Sequence, residues 1–173
     1  MPHHVEPFFL AAMDPGLDTG LSLFRIGPAA YEMIDYAVVR YDMDDRSSPL
    51  TVLKEWRKIH SSLPQRFLYE NFHVRPRRTV PETTALNVIG AVEHWIAFDL
   101  DDPYDQVIAQ EPVEGKHLAD DEALHNAGLY VDDNADSRHV RDANRHACTY
   151  LEEIHYLPLI RAAWPPRSVT LRA

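Results

Sequence analysis

The first strongly patterned stretch of the chain is an unbroken apolar run, Phe8 to Met13, bounded by Pro7 and by Asp14-Pro15-Gly16. A short apolar run between turn signals reads as a strand covered on both faces. After the turn, Gly20 to Ile26 alternates loosely until Gly27-Pro28 ends it, and Tyr31 to Tyr41 forms a third strand closed by the acidic turn Asp42-Met43-Asp44-Asp45. Three strands joined by short turns predict an antiparallel meander. Ser47-Ser48-Pro49 then carries the chemistry of a helix start, with Leu53, Trp56 and Ile59 at helical spacing as far as Leu63 and Pro64 as the stop. Phe67 to Val74 reads as a fourth strand. A second helix opens at Thr79-Val80-Pro81-Glu82, with Ala85, Val88, Ile89, Val92 and Trp95-Ile96 on its apolar face.

Gln106 to Gln110 predicts a short fifth strand, and Asp120 to Asn126 a short helix ending near Gly128. The last helix starts at Asp136 or Ser137, with Asp136 as its N-cap. Its stripe Ala143, Ala147, Leu151, Ile154 faces a core, and Pro158 ends or kinks it. The predicted order βββαβαβα is an α/β domain on a mixed five-stranded sheet flanked by helices. With 173 residues, 45% of them hydrophobic, the chain is read as one domain, with a core over about 7–157 and a C-terminal tail over 158–173. There is no internal repeat and no low-complexity segment.

The charged positions change this picture most at Glu70. It lies in Arg66-Phe67-Leu68-Tyr69-Glu70-Asn71-Phe72, among strand-forming aromatics. A carboxylate there stays ionised only if something positive, usually a metal ion, holds it. Matching groups occur at Asp14, where the first strand ends, and at His139 and Asp142, which share one helix face at i, i+3 spacing. Oxygen-rich ligation with one imidazole suits Mg²⁺ or Mn²⁺. Each residue also has a plainer reading: Asp14 as a turn former, His139 as a surface histidine, Asp142 as an ion-pair partner of Arg141 or Arg145, Glu70 as an edge-strand residue facing water. His146 is read either as a group behind the site or as a satisfied helix histidine. Glu111 is a weaker candidate as an additional ligand.

The net charge of −10 lowers the expectation of a nucleic-acid partner, but it is unevenly spread. Basic residues gather at Arg75, Arg77 and Arg78 and again at Arg138, Arg141 and Arg145. No apolar run approaches the roughly 20 residues that cross a bilayer. The N-terminus has no secretory pattern. A single cysteine, Cys148, leaves no internal disulfide and no cysteine-based zinc cage, and it reads as a small core residue. A cytoplasmic setting, in a bacterial cell with a cellular or bacteriophage gene, is the expectation.

Taken in order, these motifs resemble the RuvC family of Holliday junction resolvases, within the ribonuclease H-like nucleases. Asp14-Pro15-Gly16-Leu17-Asp18-Thr19-Gly20 resembles the family's opening motif, and Phe67-Leu68-Tyr69-Glu70 the strand carrying its second acid. Thr84-Ala85-Leu86 through Gly90-Ala91 resembles the helix that follows, and His139-Val140-Arg141-Asp142-Ala143 the C-terminal motif. The likeness runs from about Phe8 to Leu151. It implies a ribonuclease H-like fold and a structure-selective DNA endonuclease making paired nicks in four-way junctions. It also implies two Mg²⁺ or Mn²⁺ ions held by Asp14, Glu70, His139 and Asp142, with His139 a ligand or a proton carrier. DNA contact is expected from Arg75, Arg77, Arg78 and Lys116. Phe72 or His73 is a possible stacking group for an unpaired base, with core packing the better reading of Phe72. The two-fold symmetry of a junction implies a homodimer, placed by the resemblance on Glu82 to Trp95, where Val88, Val92 and Trp95 are read either as an apolar interface or, equally, as buried within the monomer. The segment Pro112 to His117 is poorer in lysine than the family pattern. Alternatives are a nuclease of the same fold acting on flaps, other branched DNA or RNA–DNA hybrids, and a catalytically inactive DNA-binding relative.

Overall fold

The computed structural model describes residues 5–42, 48–72, 83–100, 106–111 and 118–166. Its strands are β1 (Phe8–Asp14), β2 (Asp18–Ile26), β3 (Tyr31–Arg40), β4 (Gln65–Glu70) and β5 (Gln106–Gln110). Its helices are α1 (Pro49–Ile59), α2 (Thr84–Asp99), α3 (Asp121–Ala127), α4 (Ser137–Glu153) and α5 (Leu157–Ala163). The five strands form one sheet in the order β3-β2-β1-β4-β5. The meander β1-β2-β3 is antiparallel, whereas β4 lies parallel to β1 and β5 parallel to β4. This is the mixed α/β sheet expected from the periodicity. A parallel neighbour needs a crossover connection, and α2 lies in the chain between β4 and β5.

Strand periodicity divides the core in two. Phe9, Ala11 and Met13 of β1 and Phe67 and Tyr69 of β4 pack with Leu53 and Trp56 of α1 and Val88, Val92 and Trp95 of α2. The even-numbered Phe8, Leu10 and Ala12, with Leu68, pack on the other face against Ala143, Ala147 and Leu151 of α4, together with α3 and α5. The sheet is therefore sandwiched, which is why β1 reads apolar throughout rather than alternating. Burying each large side chain contributes about 1.5–3 kcal/mol, and Leu10 and Leu159 are wholly inaccessible.

Several boundaries differ from the sequence expectation for local reasons. The first helix ends at Ile59, short of Leu63. The chain must turn early because β4 already starts at Gln65, paired with Phe9, and the Pro64 carbonyl accepts from the Phe9 N–H at 2.9 Å. Strand β4 ends at Glu70, short of Val74, since its partner β1 runs out at Asp14. Asp136 occupies the N-cap position of α4 but makes no capping bond, because its backbone is already helical. Instead the Ser137 hydroxyl accepts from the Asp133 and Asn134 N–H groups at 3.1 and 3.0 Å, folding the preceding loop onto the helix. Asp120 does cap α3, accepting from the Ala123 N–H at 2.9 Å. Gly128, at φ 71°, ends α3, with the Leu129 N–H reaching back to the Leu124 carbonyl. Pro158 sits in the first turn of a separate helix, α5, and the burial of Leu159 and Ala163 carries the core past residue 157.

Candidate functional site

Three polar side chains stand at the carboxyl ends of parallel strands. Asp14 is the last residue of β1, Glu70 of β4 and Gln110 of β5. Glu70 and Gln110 are direct register partners, and Met13 pairs with Tyr69 one step before Asp14 and Glu70. All three continue the even-numbered face, the one covered by α4. Carboxyl ends of parallel strands are where open α/β sheets place their ligand sites.

Helix α4 supplies the facing groups, and Gly20 determines how close it comes. Gly20 pairs with Asp14 across β1 and β2. A Cβ at Gly20 would stand 2.1 Å from the carbonyl carbon and oxygen of His139. The absence of a side chain lets the first turn of α4 rest on the strand. His139, Asp142 and His146 then follow at i, i+3 and i+7 along the face turned to these strand ends. The turn between β1 and β2 is held by Thr19, whose hydroxyl donates to the Gly16 carbonyl at 3.0 Å and accepts from its N–H at 3.2 Å.

The structure brings Asp14 and His139 together, with His139 Nδ1 3.3 Å from Asp14 Oδ2. Arg138 Nε donates to His139 Nε2 at 3.2 Å, so the ring accepts there and offers its Nδ1 proton to Asp14. That hydrogen bond raises the His139 pKa, against the opposing effect of burial. The Asp14 pKa is also raised. Burial is the main cause, the His139 hydrogen bond opposes it, and the negative charges of Asp142 and Glu70 add to it. Asp14 therefore feels both other candidate acids.

Those two acids are engaged elsewhere. Glu70 Oε2 lies 3.0 Å from Nε2 of His146, a ring with only 1% of its side-chain surface exposed. The donor that Glu70 needed among its aromatic neighbours is thus present within the protein. Asp142 is paired with Arg145, which also reaches Asp121 on α3. Among the described residues, no three acidic, imidazole or thiol groups stand as a ready metal cage. In residue type the set suits a hard divalent cation, and the mutual repulsion that opposes Asp14 ionisation is what a cation there would relieve.

Arg75, Arg77, Arg78, Lys116 and His73 lie outside the described residues. Glu111 accepts from the Asn71 side chain at 3.1 Å. Phe72 is partly buried against the α1–α2 core. Val88, Val92 and Trp95 pack inside the chain's own core at 1–5% exposure, so of their two readings burial within the monomer holds, and an apolar dimer face is not built from them. Cys148 is buried, and burial pushes its thiol up to about 12. The sequence reading passed over Gln110 and Asp121. For Gln110 a signal was available: it is a polar residue ending a strand parallel to the one that ends in Glu70.

By fold, a solved structure answers to this arrangement. A structure of T. thermophilus RuvC in complex with a Holliday junction substrate superposes with a TM-score of 0.61 at 19% identity, covering 87% of this chain and 97% of that one. The chain has a ribonuclease H-like fold. No protein-family model matches the sequence, and no characterised protein matches it by sequence. At this identity the similarity to RuvC is one of architecture. It covers nearly all of the RuvC chain and most of this one. No helix among the described residues is long and apolar enough to cross a membrane.

Proposed function

We propose that this protein is a divalent-metal-dependent endonuclease that resolves four-way DNA junctions by paired, symmetric nicks. One observation carries the reading: Asp14, partly buried beside His139, lies within electrostatic reach of both Glu70 and Asp142. That acidic centre stands at the carboxyl ends of the strands, in a fold shared with a RuvC solved on a Holliday junction.

In this reading Asp14, Glu70 and Asp142 hold Mg²⁺ or Mn²⁺, two ions per site, with His139 beside them as a ligand or proton carrier. Bound there, such ions supply an activated water and stabilise the leaving 3′-oxygen of a phosphodiester. Asp14 fixes the His139 ring through its Nδ1 proton, and Arg138 holds the opposite nitrogen. Arg145 restrains Asp142 at the rim. Arg75, Arg77 and Arg78 follow Glu70 in the chain, Lys116 follows Gln110, and these four are assigned to phosphate contacts. A junction offers two equivalent strands, so a homodimer presents the two required centres.

The test is cleavage of labelled four-way junction, flap and RNA–DNA hybrid substrates with Mg²⁺, with Mn²⁺ and with chelator. Paired nicks on the junction, abolished by chelation, are expected. Cutting confined to flaps or hybrids would transfer the same site to another substrate. No cutting of any substrate, with junction binding retained, would identify an inactive relative.

A further inference from the structure

Behind Glu70 a chain of buried polar groups runs from β5 through α4 to the site. His146 is 1% exposed and Gln110 3% exposed. The Gln110 amide satisfies its surroundings when its nitrogen donates to His146 Nδ1 at 2.9 Å and to the His146 carbonyl at 3.2 Å. Its oxygen then accepts from the Tyr150 N–H at 3.2 Å. With Nδ1 occupied as an acceptor, the ring carries its proton on Nε2, and that N–H points to Glu70 Oε2 at 3.0 Å. The backbone reinforces the alignment, since Glu70 and Gln110 are register partners and the Asn71 N–H donates to the Gln110 carbonyl at 2.7 Å.

We infer that His146, with its tautomer set by Gln110, is the positioning residue that orients the Glu70 carboxylate for cation binding. This rests on the nuclease reading above. A buried imidazole kept only for packing has no need of a donor aimed at a site acid, and an apolar residue would fill the same space without a polar network to satisfy. Here both ring nitrogens are used, and the chain of bonds ends on the acid at the carboxyl end of β4. Hydrogen-bonded partners behind a ligand restrict its rotamers and remove the entropy cost of ordering it at the moment of binding. Glutamate benefits more than aspartate, because its side chain has one more rotatable bond to hold.

The inference is tested by titrating Mn²⁺ alone into the full-length wild type, His146→Leu, His146→Gln, Gln110→Leu, Glu70→Gln and the double variant His146→Leu/Glu70→Gln. Calorimetry reads metal affinity, and thermal melts in chelator read folding. Loss of about tenfold or more in Mn²⁺ affinity is expected for His146→Leu. His146→Gln restores most of it, because its amide N–H can take the place of Nε2–H, and Gln110→Leu gives an intermediate loss. In the Glu70→Gln background, His146→Leu adds nothing further. Nitrogen-15 spectra of the metal-free wild type should show His146 protonated at Nε2 and bare at Nδ1.

Unchanged affinity in both His146→Leu and Gln110→Leu overturns the inference while leaving the nuclease reading intact. If His146→Leu does not fold, unchanged affinity in Gln110→Leu alone overturns it. Equal losses in His146→Leu and His146→Gln, or a further loss in the Glu70→Gln background, also count against it. A wild-type protein that takes up no Mn²⁺ overturns the nuclease reading and this inference together.

Discussion

Asp14 is where burial and charge conflict most sharply. Its pKa is raised chiefly by burial, with repulsion from Asp142 and Glu70 adding to it. For an acid, a raised folded-state pKa means that the folded state binds its proton more tightly than the unfolded chain does. The associated stability is therefore fully present below the unfolded pKa near 3.8 and is lost as pH rises through the folded value. Asp14→Asn keeps an acceptor for His139 and removes the charge. Metal-free Asp14→Asn should melt above wild type at neutral pH, with the gain shrinking as pH falls through the acid range. The same variant, like Glu70→Gln, should lose cleavage while still binding junction, measured by gel shift in chelator. Undiminished cutting by either variant would remove the substituted residue from the site. Cys148 carries a residue-scale expectation of another kind. Burial raises its thiol to about 12, so it should stay unreactive to a thiol reagent until the protein is unfolded.

Among the elements, α4 on β2 is the contact on which the site depends. Gly20 lets the helix backbone rest on the strand directly opposite Asp14. Gly20→Ala puts a methyl group where the His139 carbonyl stands, and backbone cannot rotate aside as a side-chain tip can. A loss of roughly 1–3 kcal/mol or more is expected, read by denaturant unfolding. The displaced helix should also pull His139 from Asp14, so its imidazole should titrate lower than in the wild type, closer to an ordinary histidine, by NMR. An alanine variant of wild-type stability would show that the helix does not need this close approach. Helix α2 contributes differently, since Val88, Val92 and Trp95 are committed to the sheet. Leu86 and Phe98 remain exposed on it. A dimer joined through this helix would have to use that outer side.

For the whole molecule, the proposed function requires a net charge of −10 to coexist with binding to a polyanion. In the proposed function, Arg75, Arg77, Arg78 and Lys116 supply the positive charge that meets phosphate. Junction affinity should fall steeply with salt, by a slope of about 0.9 for each phosphate neutralised. Replacing Arg75, Arg77 and Arg78 together by alanine should reduce that slope by up to about 3. An unchanged slope in the triple variant would place the DNA contact elsewhere.

Much of the architecture was legible along the chain. The Phe8–Met13 run, the Gln106–Gln110 strand, the apolar stripe of α2 and the motif order led to the mixed five-stranded sheet. Local periodicity reports which face of an element is covered, and that survives folding because burial acts on each side chain in turn. Glu70 was legible as a candidate because a carboxylate among apolar strand residues is costly, and Asp14, His139 and Asp142 by position, at a strand end and at i, i+3 on one helix. The Asp142–Arg145 pair, at i, i+3 on one helix, was among the readings open from the sequence. The partners across the fold were not: that Glu70 meets His146 and that Gln110 stands behind both follow from strand register and the seating of α4 on Gly20. These are distances between residues far apart in the chain. No spacing along the chain encodes them, because they arise only when sheet and helix are packed together.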